Sequence, residues 1–273
     1  MYQNTLYLPQ MSDYIDHVLV IKTGENECGL ISEKLLPNPC NGLVINFGGK
    51  VSLIPGSGKE PVLLPRCYFA LAATSRNYVR LNFIGDYDSI ILTFHPGKLY
   101  SLFRFPIGIL NGEIFVNAEI IAGAEFNRVM SRVFSEGTTS GRIELLHSYL
   151  MNLKQQQDDK HFISSIVDQI IQLNGCTRID RLAAANHITR RSLERQFSHK
   201  LGITPVQYAR IVRGQSIIKY CLLKPETLWQ DIVAGFNYYD QAHFINDFKK
   251  FTGETPSEYF RNSHIMERMV SPS

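Results

Sequence analysis

Short apolar runs separated by turn-forming residues fill the first 115 residues of the chain, and apolar positions at helical spacing fill most of the rest. The runs VLVIKTG, CNGLVINFGG, KVSLIPG, PVLLP, CYFALAAT, YVRLNFIG and DSIILTFHPG are rich in β-branched and aromatic residues, each bounded by Gly, Pro, Asn or Asp. About seven short strands with turn signals between them predict an antiparallel β-barrel or sandwich. Gly48-Gly49-Lys50 and Gly56-Ser57-Gly58-Lys59 read as hairpin turns. A small barrel encloses either its own side chains or one small ligand.

From Asn117 the period becomes helical. Ile120, Ile121, Ala124, Val129, Val133 and Phe134 form one stripe, and Ile143, Leu146, Tyr149, Leu150 and Leu153 form a second, with GTTSG between them. Two amphipathic helices after a β domain must be covered, either by that domain or by a second copy of the chain. Lys154 to Lys160 is polar without periodicity, which divides the chain into residues 1–156 and 157–273. Phe162, Ile163, Ile166, Val167, Ile170 and Leu173 then predict a supporting helix ending at Asn174-Gly175.

Beyond it, one pattern is written twice. A shift of 51 residues without a gap places Ala183 on Ala234, Asn186 on Asn237, Phe197 on Phe248, Gly202 on Gly253, Thr204 on Thr255, Pro205 on Pro256 and Tyr208 on Tyr259. Apolar character repeats at Leu182 with Val233, Ile188 with Tyr239 and Leu193 with Phe244. Each copy reads as two helices joined by a tight turn, Asn186 to Ile188 in the first and Asn237 to Tyr239 in the second, with Thr189 and Asp240 as caps of the second helices. Gly-x-Thr-Pro ends each second helix and restarts the chain as another. This is the geometry of a helix-turn-helix, whose second helix enters the major groove. A helix from Pro205 to Leu223 separates the copies, and 19 residues at 1.5 Å each give roughly 28 Å, near one turn of DNA.

Charge follows the same division. Residues 1–157 carry 13 Lys plus Arg against 13 Asp plus Glu, whereas residues 178–213 carry 8 against 2. That local excess suits a phosphate backbone. The five cysteines, at 28, 40, 67, 176 and 221, are scattered and lack metal-binding spacing, so they predict reduced thiols in the cytoplasm. The N-terminus lacks the basic start and apolar core of a signal peptide, and no apolar run is long enough for a membrane span. His17, His95 and His147 form no His-x-His pair, His95 precedes Pro96-Gly97 as a turn residue, and no nucleophile elbow or phosphate loop occurs. Neither metal, cofactor nor enzymatic chemistry is expected.

Residues 160–262 resemble the DNA-binding domain of AraC/XylS-type transcriptional regulators, on DIVAGFNYYDQAHFINDFKKFTGETPSEYFR and RLAAANHITRRSLERQFSHKLGITPVQY. PNPCNGLVINFG and LTFHPGKLYSLF are similar to pieces of cupin-like sensor barrels in such regulators. The resemblance implies an α+β chain that regulates transcription, with double-stranded DNA, a small-molecule effector, RNA polymerase and a second copy of itself as partners. Base contacts are implied at Arg191, Glu194 and Arg195 in the first copy and at Gln241, Ala242, Ile245 and Asn246 in the second. Arg190 and Lys249 join them as cations on the outward faces. Arg reads guanine, Glu accepts from cytosine, Asn and Gln suit adenine, and Ala or Ile touches a thymine methyl. Asp240 departs from the family's frequent Ser and makes the second copy the weaker reader. Arg66, Arg80 and Asn82 are candidate ligand-binding groups within strands. The alternatives are a DNA-binding regulator without a ligand and an enzyme with an accessory DNA-binding tail.

Overall fold

The computed structural model describes residues 2–23, 30–54, 60–71, 77–110, 112–156 and 162–261. The N-terminal half is a single antiparallel sheet of eight strands: β1 (Tyr2–Leu6), β2 (Ile15–Lys22), β3 (Leu30–Leu35), β4 (Asn41–Ile54), β5 (Val62–Leu63), β6 (Cys67–Ala70), β7 (Val79–Phe94) and β8 (Phe115–Asn117). Strands β4 and β7 form its spine, paired from Asn41 with Phe94 to Ile54 with Arg80. Each of these long strands had read as two short ones. The break in β4 is not a hairpin turn but a pair of register shifts around Gly48 inside the strand. Gly49 at φ 69° lies against Gly85 at φ 80°, and the absence of side chains on both lets the spine bend. The Gly56 to Lys59 turn lies outside the described residues.

On one side of the bend the order is β1-β2-β7-β4-β6-β8, and on the other β3 joins β7 while β5 joins β4. The terminal strands β1 and β8 do not pair with each other, so the sheet is an open sandwich rather than a closed barrel. Strand alternation sorts its side chains into two cores. Leu19, Ile21, Val51, Leu81 and Phe83 pack between the two halves of the folded sheet. Val18, Val20, Leu43, Ile45, Ile90, Leu92 and Phe94 face the other way, toward helices.

Those helices are α1 (Lys98–Phe103), the short α2 (Ala118–Ile121), α3 (Gly123–Ser135) and α4 (Thr139–Gln155), with a 3-10 turn at Ile107–Leu110. The buried stripe of α3 is Phe126, Met130 and Val133, not one through Ile120, which is 79% exposed on α2. From α4 come Leu146, Tyr149 and Leu150. Both stripes are covered by the sheet of their own chain.

The C-terminal half is helical: α5 (Phe162–Gln172), α6 (Ile179–Ala185), α7 (Arg190–Leu201), α8 (Pro205–Leu223), α9 (Trp229–Gly235), α10 (Gln241–Thr252) and α11 (Pro256–Arg261). Its buried cluster runs from Ile163 to Tyr259 and takes one buried residue, Leu36, from the N-terminal half. Helix α8 spans the 19 residues predicted, closed at its start by a reciprocal capping box between Thr204 and Gln207. The expected boundary at residues 156 and 157 adjoins residues 157–161, which lie outside the described set.

Candidate nucleic-acid interface

Each copy of the repeat folds into a helix-turn-helix. In the first, α6 buries Ile179, Leu182 and Ala183, and the amide of Ile188 donates to the Ala183 carbonyl at 3.1 Å to close the turn. The Thr189 hydroxyl accepts from the Ser192 amide at 3.1 Å, which starts α7. Leu193, Phe197 and Leu201 then sit at 0% exposure, at i, i+4 and i+8. Burying such side chains stabilises the unit by about 1.5–3 kcal/mol each. In the second, α9 buries Ile232, the Asp240 carboxylate caps α10 at 2.7 Å from the His243 amide, and Phe244 and Phe248 face inward. Gly202 at φ 75° and Gly253 at φ 83° end α7 and α10 in the left-handed region.

The copies are not related by one ungapped shift. Their second helices align at 51 residues, but the first helices and turns align at 50. The left-handed turn residues are His187 at φ 55° and Asn237 at φ 54°, not Asn186 and Asn237. The turn of the second copy closes through Tyr238 donating to Val233 at 3.1 Å. Leu182 therefore corresponds to Ile232, and Ile188 corresponds to Tyr238, which is 8% exposed. The residue left over is Tyr239, 91% exposed. Asn186 instead exchanges hydrogen bonds with Gln169 of α5 at 3.1 and 3.2 Å, which pins the first turn to its supporting helix.

Charged side chains sort into tied and free. The Arg190 guanidinium donates to Glu194 at 2.8 Å and to Asp180 at 3.1 Å, and these partners hold it protonated even more firmly than usual. Arg191 and Arg195 are exposed and have no side-chain partner among the described residues. Gln241, Ala242, Asn246 and Lys249 are exposed along α10, while Ile245 is half-buried against the core. The three candidate ligand residues do not converge. Arg66 lies over the Phe134 ring at 3.8 Å, with Glu119 at 3.5 Å. Arg80 and Asn82 share one face of β7, where Asn82 lies between Ser32 and Ser52 and its Oδ1 is buried without a partner.

One constellation had no sequence signal strong enough to single it out. The Asp247 carboxylate on α10 accepts from Arg210 Nε at 2.8 Å, Arg213 Nη2 at 3.0 Å and Tyr238 Oη at 2.9 Å. It joins α8, α10 and the second turn at one atom group. Burial, foremost, and the neighbouring carboxylate push the Tyr238 phenol well up, so it stays a donor. The only trace in the sequence is the Arg210-x-x-Arg213 spacing, which places both guanidinia on one helix face.

The N-terminal half grips both units at the far ends of α7 and α10. Gly108 lies against the Ser198 carbonyl, His199 Nε2 is 3.2 Å from the Tyr100 hydroxyl, and Gly97 faces Leu201. For the second unit, Lys34 pairs with Glu254 at 3.0 Å and Tyr78 packs on Gly253. Gln215 of α8 donates to the Pro37 carbonyl at 2.8 Å. The starts of both second helices, with their caps and outward side chains, remain exposed.

Residues 182–262 match a family described as a helix-turn-helix domain, and residues 8–115 match a domain of unknown function (DUF6597). No curated protein matches the chain. Among solved structures, ToxT from Vibrio cholerae O395 is similar at 12% identity and a TM-score of 0.44, covering 92% of this chain and 98% of that one. An unsaturated fatty acid-bound ToxT from Vibrio cholerae strain SCE256 is similar at 13% identity and a TM-score of 0.39, covering 89% and 92%.

Proposed function

We propose that this chain, whose residues 182–262 form an AraC-type helix-turn-helix domain, is a sequence-specific transcriptional regulator that reads two successive major-groove segments with α7 and α10. The observation that carries the reading is the exposed pair of capped helix starts, of which the first presents Arg191 and Arg195 without side-chain partners among the described residues. A guanidinium on the groove side of α7 suits guanine O6 and N7. Glu194 is shared with Arg190 and reads a cytosine amine only with its remaining lone pairs. On α10, Gln241 and Asn246 take the adenine-reading roles, Ala242 and the outer edge of Ile245 the thymine methyls, and Lys249 a phosphate.

The decisive experiment is selection of DNA from a random library by the purified chain, followed by footprinting. Arg195→Ala is expected to cost about 1–3 kcal/mol and to relax one base position, whereas Lys249→Ala weakens all sequences alike. Arg195→Ala with unchanged affinity and unchanged preference refutes the assignment.

The N-terminal half is assigned to effector sensing and to a homodimer that matches a repeated operator, with RNA polymerase as a further partner. The buried, unpartnered Asn82 Oδ1 supports a small polar ligand on that face of β7, with Arg80 beside it. A thermal-shift screen against sugars, aromatic acids and nucleotides tests this, since a ligand that binds only the folded state raises the melting temperature. Sedimentation tests the dimer. A chain that meets no effector in such a screen while still selecting DNA is a ligand-free regulator.

A further inference from the structure

A cleft of about 620 Å³ opens between the two helix-turn-helix units, and it is lined by three arginines and no carboxylate. Arg178 and Arg181 stand on its first-unit wall, at the entry to and first turn of α6, both exposed and without side-chain partners among the described residues. Arg213 of α8 contributes a guanidinium of which one nitrogen, Nη2, is tied to Asp247, while its buried Nε has no hydrogen-bond partner among the described residues. Asn237, in the turn of the second unit, lies on the far side.

The electrostatics are one-sided. Asp180 and Asp247, the acids paired with residues of these elements, are already engaged: Asp180 accepts from Arg190, and Asp247 is shared by Arg210 and Arg213, two cations on one anion. Positive charge is left over on every wall that carries an arginine. A buried guanidinium nitrogen without an acceptor is costly unless a ligand or water supplies one. Guanidinium groups converging from two elements match a tetrahedral oxyanion, because their forked donors take two oxygens at once.

From this we infer that the cleft binds a phosphate group. Two sources carry that chemistry, a DNA strand and a free phosphorylated molecule, and the position of the cleft favours the strand. If α7 and α10 occupy successive major-groove segments, the backbone between those segments passes between the two units, where Arg178 and Arg181 stand. This assignment rests on the DNA-binding reading above, although the presence of a phosphate site does not.

The test is a double variant, Arg178→Gln with Arg181→Gln, made at exposed positions and checked for an unchanged melting temperature. Binding to the selected DNA is titrated at several salt concentrations, and the wild-type and variant chains are melted with and without 10 mM pyrophosphate in the absence of DNA. The expected result is weaker binding to all sequences alike, with base preference intact and a salt dependence shallower by about 0.9 per lost phosphate contact. Between 50 and 200 mM salt the variant then loses about 3.5-fold less affinity than the wild type for each phosphate contact removed. An unchanged salt slope with a pyrophosphate shift in the wild type alone keeps the phosphate site and assigns it to a soluble ligand. An unchanged slope with no such shift overturns the proposal, and the selected-DNA footprint of the same wild-type protein shows independently whether the DNA-binding reading stands. Should the wild type select no DNA, the pyrophosphate arm alone decides, a shift lost in the variant sustaining the site and its absence refuting it.

Discussion

Replacing Asp247 with Ala removes the shared acceptor of Arg210, Arg213 and Tyr238 in one step. Fully buried pairs that lose one partner cost about 3–5 kcal/mol, because the remaining charge stays desolvated. Here the side chains of Arg210, Arg213 and Asp247 are 33%, 20% and 17% exposed, so water compensates in part. A destabilisation of about 2–3 kcal/mol is the appropriate scale after that discount. The single tryptophan makes this measurable in one region, since Trp229 lies 5.8 Å from Phe244 and 6.3 Å from Phe260 within the second unit. Urea unfolding followed by its fluorescence is expected to shift its midpoint by about 1–2 M, for a slope near 1.5 kcal/mol per M. The footprint is expected to shrink at the α10 half-site and persist at the α7 half-site, because the lost anchor belongs to α10. A midpoint that moves by less than about 0.3 M, together with full protection of both half-sites, would refute the claim that this carboxylate sets the second reader.

Gly253→Ala is expected to destabilise by about 1–2 kcal/mol from the left-handed backbone alone, and more because the new methyl meets the Tyr78 ring; chemical denaturation with a Tyr78→Ala background separates the two contributions. Glu258 accepts from the Thr255 amide and hydroxyl, and those bonds hold its carboxyl below its ordinary value. Its folded pKa is depressed, so its stabilisation is present at neutral pH and is lost as pH falls through and below the ordinary value of 4.5; Glu258→Gln should flatten that acid limb of a stability–pH profile. Burial pushes the Cys221 thiol up to about 11 and Cys40 to about 12, whereas Cys176 is only half-buried. At pH 8, peptide mapping after brief iodoacetamide treatment should find Cys176 modified before Cys40, Cys67 and Cys221.

The helical half was legible because its signals are local. The Thr and Asp caps, the Gly terminators and the i, i+4 apolar pairs each act within one turn of helix, and α7, α8 and α10 stand where those residues place them. The one-residue offset between the turns was hidden because Asn186 and Asn237 are identical at the shift of 51 that the second helices obey, whereas the backbone aligns Asn237 with His187. Strand β3 escaped notice because its alternation includes Ser32, Glu33 and Lys34, and Lys34 is buried against partners distant in the chain, the Tyr78 ring and Glu254, the latter 220 positions away. Strand β1 is likewise polar and stands at an edge. The bend that fuses four apparent strands into β4 and β7 depends on glycines meeting across the spine, which no single stretch displays. The Asp247 hub is tertiary for the same reason.

The grip of the N-terminal half on the ends of α7 and α10 has a mechanical consequence. Helix α7 has 12 residues, about 18 Å from the end held at Ser198 to Leu201 to the tip that meets a base. It is a lever fixed at its heel. A tilt of about 5° at the heel sweeps the tip by roughly 1.5 Å, which stretches a 2.9 Å hydrogen bond beyond bonding distance. A displacement too small to register as a rearrangement of the sheet is thus sufficient to disengage the reading end.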